Sequence, residues 1–256
     1  MKVERILAPN PGPFTGPGTN TYLLVSGEEA LLIDPGPLDR SHEDAILEAL
    51  TGFRTRGILV THTHEDHAPL ANPLAADLGV PAYGHAPGPD FKPDLVLTDE
   101  DRVDFGSQTV QAVHTPGHSH DHLCFLVGDS LFTGDHIMGG SSVVVEDMGA
   151  YLTSLRRLQQ LELARLYPGH GLVMSDPAGI VASYIEHRLE RERQVLSAVT
   201  TGASTVMEIV QTVYADVDPA LHPLAAMSVR AHLVKLIADG AVRSGDGNMF
   251  LAGETA

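Results

Sequence analysis

Residues 61 to 67 read Thr-His-Thr-His-Glu-Asp-His, which places His62, His64, Asp66 and His67 within six positions. The apolar run Gly57-Ile58-Leu59-Val60 comes just before them, and a buried strand ending there delivers several ligand side chains to one point. An extended backbone turns His62 and His64 to the same side, while Asp66 and His67 fall where the chain must turn. Neutral imidazole nitrogens with a carboxylate suit zinc, and no thiolate is needed. In isolation such a run also fits a polar surface turn. The remainder of the chain supplies the missing ligands.

They come at three later points, each at the end of an apolar segment. Residues 110–113 run into His114-Thr115-Pro116-Gly117-His118, residues 131–133 into Gly134-Asp135, and residues 164–167 into Pro168-Gly169-His170-Gly171. Glycine or proline beside each ligand permits a tight turn and close backbone approach. Four strand ends converging on one rim is how an α/β sheet builds a site.

The elements that must position these residues follow from periodicity. Residues 3–7, 21–25, 30–33 and 58–60 read as strands, with a helix at 41–50 started by Ser41 and Asp44 and another at 68–78. Short strands follow at 103–105, 110–113, 123–127 and 131–132, the last two joined by a turn at Gly128-Asp129-Ser130. A helix at 151–163 carries Leu152, Leu155, Leu158 and Leu161 on one stripe. A short strand at 166–167 and a long helix from Asp176-Pro177 to about Val199 complete the series. The sum is two β-rich halves with helices outside, an αββα sandwich. After Gly202 the character changes: Ser204 caps a helix through Tyr214, residues 219–238 hold further helix, and strands at 242–243 and 249–251 flank a turn at 244–248. That order reads as a winged helix, giving one domain over residues 1–200 and a second over 201–256.

With these residues in place, the chain resembles the metallo-β-lactamase superfamily, whose pattern is His-x-His-x-Asp-His followed by separate His, Asp and His positions. The likeness extends to Asn10-Pro11-Gly12-Pro13-Phe14-Thr15, Gly18-Thr19-Asn20-Thr21-Tyr22, Tyr184-Ile185-Glu186-His187-Arg188 and Thr205-Val206-Met207-Glu208-Ile209-Val210. These resemble the lactamase-like subfamily with a winged-helix tail. The resemblance implies a four-layer αββα fold and a site in which His62, His64 and His118 hold one metal. Asp66, His67 and His170 would hold a second, and Asp135 would bridge the two. Two zinc ions about 3.5 Å apart would then share a solvent-derived nucleophile, with iron or manganese admissible on the same donors. Asp66 and Asp135 are the candidate catalytic residues, Asp66 also orienting the nucleophile.

Phe14 on the Pro/Gly-rich loop, His85 on the loop after residue 84 and Arg188 on the long helix are the candidate substrate contacts. For Arg188 the competing expectation is a solvated face balanced by Glu186, Glu190 and Glu192, and the charges favour it. His114, His120, His122 and His136 stand beside ligands as hydrogen-bond partners or as ordinary histidines. His42 and His232 read as ordinary helix positions.

Composition narrows the function. The chain has 256 residues, 43% hydrophobic and 19% charged, which fits a globular protein rather than disorder. No apolar run reaches membrane-spanning length and the start shows no signal segment. The single cysteine, Cys124, forms no intrachain disulfide and sits in an apolar run. Together these predict a cytoplasmic protein without a membrane partner. The net charge of −17 repels polyanions. The tail sets Arg230, Lys235 and Arg243 against Glu208, Asp216, Asp218, Asp239, Asp246 and Glu254, which favours a structural or homo-oligomerising role over nucleic-acid binding without excluding the latter. The leading expectation is therefore hydrolysis of a small ester, thioester, lactone or related acyl compound. Cleavage of single-stranded RNA, known from an animal member of the subfamily, is one alternative. β-Lactam hydrolysis is another, weakened by the missing export signal and by Asp66, where export-type lactamases of this fold often depart. A glyoxalase-type thioesterase would share the ligands but carry a helical tail with basic substrate contacts, and the hairpin here argues against it.

Overall fold

The computed structural model describes residues 1–139, 143–245 and 249–253. The chain forms two compact units. The first comprises Met1–Pro116, Asp121–Val143 and Leu161–Ala178, the second Gly117–His120, Val144–Gln160 and Gly179–Ala256.

The first unit holds two mixed sheets. One runs in the order β1 (Lys2–Leu7), β2 (Asn20–Ser26), β3 (Glu29–Ile33), β4 (Arg54–Leu59), β5 (Ala82–Gly84), β6 (Leu95–Val96). Its first three strands are antiparallel, and β3 through β6 are parallel. The other runs β11 (Arg165–Pro168), β10 (Ser130–Gly134), β9 (Leu123–Val127), β8 (Gln108–His114), β7 (Arg102–Phe105), with only β10 and β11 parallel. Side-chain alternation sorts the central strands between two cores. Tyr22, Leu24, Leu31, Ile33 and Leu59 meet Val103, Phe105, Val110, Ala112, Phe125 and Phe132 between the sheets. Their sequence neighbours Leu23, Val25, Ala30, Leu32 and Ile58 face α1 (Arg40–Leu50) and α2 (Ala71–Leu78) on the outer side, against Ile46, Leu50, Leu74 and Ala75. Near the ends of these strands Tyr22, Phe132 and Tyr167 form an aromatic trio with centroid separations of 4.7 to 5.6 Å.

Two helix starts differ from expectation. α1 is capped by Asp39, whose carboxylate accepts from His42 N, not by Ser41, whose hydroxyl donates to that same carboxylate. α2 begins at Ala71 rather than residue 68, because the backbone at 64–68 is used in the turn that carries the ligands.

The second unit contains α3 (Met148–Leu158), nearly all of α4 (Pro177–Thr200), α5 (Val206–Val213), a 3₁₀ turn (Pro219–Leu221), α6 (His222–Ala238) and the antiparallel pair β12 (Val242–Ser244) and β13 (Phe250–Ala252). Asp147 caps α3 at Ala150 N, which moves the helix earlier than the leucine spacing predicts and leaves Leu161 beyond its end. Thr205, not Ser204, is the N-cap of α5. It forms a capping box with Glu208, while Ser204 also donates to that glutamate. Val195, Val199, Ile209, Val210, Val229, Leu233, Leu236 and Val242 make the core of this part. The expected turn at 244–248 includes Asp246, Gly247 and Asn248, which lie outside the described residues. Among the described residues no helix is long and apolar enough to cross a membrane.

Candidate metal centre

The ligand run begins where β4 stops. Val60 N donates to Tyr83 O at 2.9 Å, and His67 N and Ala68 N both return to His64 O at 3.0 and 3.2 Å, closing a turn over 64–68. Beyond β10, the run turns at Gly134 and Asp135, and after β11 at Gly169 and His170. A Cβ on Gly169 would lie 2.6 Å from Asp135 Oδ1 and 2.7 Å from His67 Cε1, so the backbone itself forms a wall of the site.

These turns bring together the residues the sequence singled out. In the first unit, ligand atoms of His62, His64 and Asp135 lie within 4.8 Å of one another, and so do those of Asp66, His67 and His170. His62 Nε2 stands 2.9 Å from His64 Nδ1, and His67 Nε2 stands 3.3 Å from His170 Nε2. Asp66 Oδ2 is 3.3 Å from His67 Nε2 and 3.1 Å from His170 Nε2, while Asp135 Oδ1 is 3.4 and 3.3 Å from the same two nitrogens. Asp135 therefore belongs to both groups.

Hydrogen bonds on the far side of each ring fix which nitrogen faces the site. Thr61 Oγ1 donates to Asp34 Oδ2 at 2.7 Å, so at 2.9 Å it accepts from His62 Nδ1. His67 Nδ1 donates to Asp34 Oδ2 at 2.9 Å, and His170 Nδ1 donates to Gly18 O at 3.2 Å. In each case Nε2 is left with a bare lone pair directed inward. In the second unit His118, which is buried, donates Nδ1–H to Val144 O at 2.7 Å and likewise keeps Nε2 as an acceptor.

Lone pairs and carboxylate oxygens at such separations repel unless a cation lies among them. For bonds of about 2.0 to 2.1 Å, tetrahedral donors stand about 3.3 to 3.4 Å apart. The five separations of 3.1 to 3.4 Å among Asp66, His67, Asp135 and His170 fit that spacing. Without a metal, a proton answers the same field. Burial disfavours the charged ring of His67, yet Asp66, Asp135 and Asp34 hold its pKa well above the ordinary histidine range. His170 is raised to about 9 against its own burial by hydrogen bonds to Asp135 and Asp66. Burial also opposes ionisation of Asp66 and Asp135, but the charge on His67 and hydrogen bonds from both rings keep the two carboxyls far below the carboxylate norm. The donor set fits a divalent, nitrogen- and oxygen-liking metal.

Several supporting residues were not legible beforehand. Asp34 follows β3 in the left-handed region (φ 49°) and accepts from Thr61 N at 2.7 Å in addition to Thr61 Oγ1 and His67. Asn20 Nδ2 donates to Pro168 O and Gly171 O, and Asn20 N to Gly169 O, clamping the turn that carries His170. Tyr22 O–H donates to Pro168 O at 2.8 Å, and burial pushes its pKa up, so it stays a donor. His122, which the sequence did offer as a hydrogen-bond partner of the ligands or an ordinary histidine, accepts from Asp135 N at 3.2 Å and bonds Thr115 Oγ1 through Nδ1, which makes it a partner. For Asp34 the sequence holds only Asp34-Pro35-Gly36 at the end of a strand, and for Asn20 and Tyr22 the segment Gly18–Tyr22, which carries family likeness without an assigned task.

The candidate substrate contacts are placed less decisively. Phe14 is 56% exposed on the loop before β2. His85 follows β5, donates Nδ1–H to Leu97 O at 2.9 Å and stacks on His114 with centroids 4.2 Å apart. A Cβ on Gly88 would meet Thr63 Cβ at 2.4 Å, so this loop rests on the residue between His62 and His64. Arg188 departs from the solvated face expected for it. It is only 3% exposed, with its guanidinium 5.4 Å from the ring centre of Tyr151. The two helix histidines read as ordinary, His42 and His232, are both buried, and His42 bonds Thr21 Oγ1 at 2.8 Å.

This fold and site define a class. The chain belongs to the metallo-beta-lactamase superfamily, whose model matches residues 14–170, and it carries a beta-lactamase associated winged helix domain matched over residues 205–248. It is 34% identical to a beta-lactamase-like protein 2 homolog of Drosophila melanogaster over 94% of this chain and 89% of the relative. It is 33% identical to an atrochrysone carboxyl ACP thioesterase of a Cryptosporiopsis species, over 98% of this chain and 86% of the relative. A beta-lactamase domain protein of Burkholderia ambifaria superposes with a TM-score of 0.84 at 22% identity, covering 98% of this chain and 91% of the other.

Proposed function

We propose that this protein is a dinuclear metal hydrolase acting on small acyl compounds, with a thioester as the favoured substrate and esters and lactones as neighbours. The observation that carries the reading is the near-tetrahedral spacing of Asp66, His67, Asp135 and His170 beside a second His62, His64 and Asp135 group. The sequence pattern of separate His, Asp and His positions after residue 67 assigns His118 to the latter group as its further ligand. Zinc is the proposed metal, and the same donors admit iron or manganese.

Divalent ions held there would lower the pKa of a coordinated water toward neutrality and polarise the carbonyl under attack. The chain's own residues do the rest. Asp135, reaching both groups, fixes their separation. Asp66 holds the second position and directs an attacking water by accepting its hydrogen bond. Asp34, through Thr61 and His67, keeps two imidazoles in the tautomer that donates a lone pair. Gly169 leaves room for this packing.

A thioester is favoured because the fungal relative bears a thioesterase name, and because a net charge of −17 opposes the long-range attraction on which nucleic-acid binding depends. The winged-helix part, with three basic against six acidic side chains, serves stability or self-assembly in this reading. The test uses zinc-loaded protein on an acyl-pantetheine thioester, an aryl ester, a lactone, a cephalosporin and single-stranded RNA. The thioester should show the highest kcat/KM, lost on chelation and restored by zinc. Preferential RNA cleavage would overturn the proposal in favour of a ribonuclease, and preferential cephalosporin cleavage in favour of a lactamase.

A further inference from the structure

Asp66 is the least enclosed member of its group. Its side chain is 20% exposed, against 0% for His67 and 4% for His170. The oxygen that faces those two rings, Oδ2, receives a hydrogen bond from outside the ligand set, from Thr19 Oγ1 at 3.1 Å. Thr19 is fully buried and lies in a backbone bridge to His170.

The direction of that bond is fixed one step further back. Asn10 Nδ2 donates to Thr19 Oγ1 at 3.0 Å, so the threonine hydroxyl accepts there and its own hydrogen is left for Asp66. Asn10 Oδ1 also accepts from Thr19 N at 2.9 Å, gripping the residue at two points. Asn10 is in turn seated in a closed loop. Its carbonyl accepts from Thr15 Oγ1 at 2.6 Å, Gly18 N donates to Thr15 O at 3.0 Å, and Gly12 and Gly16 exchange bonds of 3.1 and 2.8 Å.

We propose that Thr19, oriented by Asn10, is a positioning residue that sets the affinity of the second metal position by holding Asp66 Oδ2 toward it. This rests on the reading of the two groups as a dinuclear centre. A partly exposed carboxylate without this bond is free to turn to water, and every such rotamer removes one ligand. The effect is one-sided, because His62 leans on Thr61 and Asp34 instead. Outer partners of this kind are worth about 10- to 100-fold in metal affinity.

The experiment titrates zinc, and cobalt as a spectroscopic probe, into metal-free full-length wild type, Thr19→Val, Thr19→Ser and Asn10→Ala against a competing chelator, resolving both binding steps. Thr19→Val should weaken the second step about 10- to 100-fold and leave the first unchanged, while Thr19→Ser should stay within about threefold of wild type. Asn10→Ala, at a half-exposed position, should fall between them. An unchanged second step in Thr19→Val overturns the proposal, as does an equal weakening of both steps with a lowered Tm, which marks a merely structural role. If Thr19→Val does not fold, Asn10→Ala decides, and an unchanged second step there overturns it. A wild-type protein that takes up fewer than two ions sinks the dinuclear reading itself, whereas two normal steps in both wild type and Thr19→Val sink only the relay.

Discussion

Thr61 and His67 share one carboxylate, that of Asp34, and that sharing decides the protonation of both ligand groups. Asp34 accepts from Thr61 N, Thr61 Oγ1 and His67 Nδ1 at 2.7, 2.7 and 2.9 Å. Replacing it with asparagine keeps the shape but puts an amide N–H₂ against either Thr61 N–H or His67 Nδ1. With the amide oxygen on Thr61 N, His67 must accept at Nδ1 and carry its proton at Nε2, where it no longer donates a lone pair. Thr61 also loses its acceptor and with it the reason to accept from His62. Asp34→Asn should therefore weaken both metal steps, each about 10- to 100-fold, with the fold intact by circular dichroism. Chelator competition checks it, and wild-type constants would show that Asp34 does not set the tautomers. This pattern contrasts with the one-sided loss expected from Thr19→Val. Sequence alone pointed to the ligands because imidazoles and carboxylates beside glycines announce themselves. Asp34 and Thr19 do not, since their hydrogen bonds join residues 27 to 47 positions apart and an Asp-Pro-Gly after a strand looks like any turn.

At the level of elements, alternation along β2, β3 and β4 was readable because each strand faces two apolar cores and so carries two interleaved apolar sets. The short strands β5 and β6 were not, since three and two residues give no period to detect. Helix ends shifted where a side chain chose the cap, Asp39 for α1 and Asp147 for α3. The long helix α4 shows a different limit. Its sequence alternates Glu and Arg, so a solvated face was the natural reading, and Arg193 with Glu190 does form such an exposed pair. Arg188 instead lies buried over Tyr151, and Arg191 stacks on Tyr214 at 4.5 Å. Burial of a long stem makes Arg188 a packing residue as well as a charge. Arg188→Ala should lower unfolding stability by about 2 kcal/mol through the cavity it leaves, measured by urea denaturation. Wild-type stability with an altered preference between thioester and ester would return Arg188 to the substrate side.

For the whole molecule, charge and pH act together. Thirty-three acidic against sixteen basic residues make the carboxylates the dominant long-range field, and the metal-free centre answers it by keeping His67 and His170 protonated. His232 on α6 runs the other way. It is fully buried, and neither ring nitrogen has a hydrogen-bond partner among the described residues. Glu192 Oε2 stands 3.8 Å from its Nδ1. Burial, followed by the charges of Arg188, Lys235, His187 and Arg191, lowers its pKa from 6.5 to about 3. The folded state thus binds this proton more weakly than the unfolded chain does. The contribution of a neutral His232 is fully present above pH 6.5 and is lost as pH falls from there toward 3. His170, raised to about 9, does the opposite in the metal-free protein, its contribution fading as pH rises through 9. Comparing wild type with His232→Leu cancels everything the two share, metal-site imidazoles included. In metal-free protein the stability difference should be flat from pH 8 to 7. It should then move in favour of the leucine variant, by on the order of 3 kcal/mol at pH 4. Denaturant midpoints across that range measure it. A difference that stays constant down to pH 4 would mean that His232 takes up its proton equally in both states, and that the second unit opens a path for water or a counter-charge to reach it.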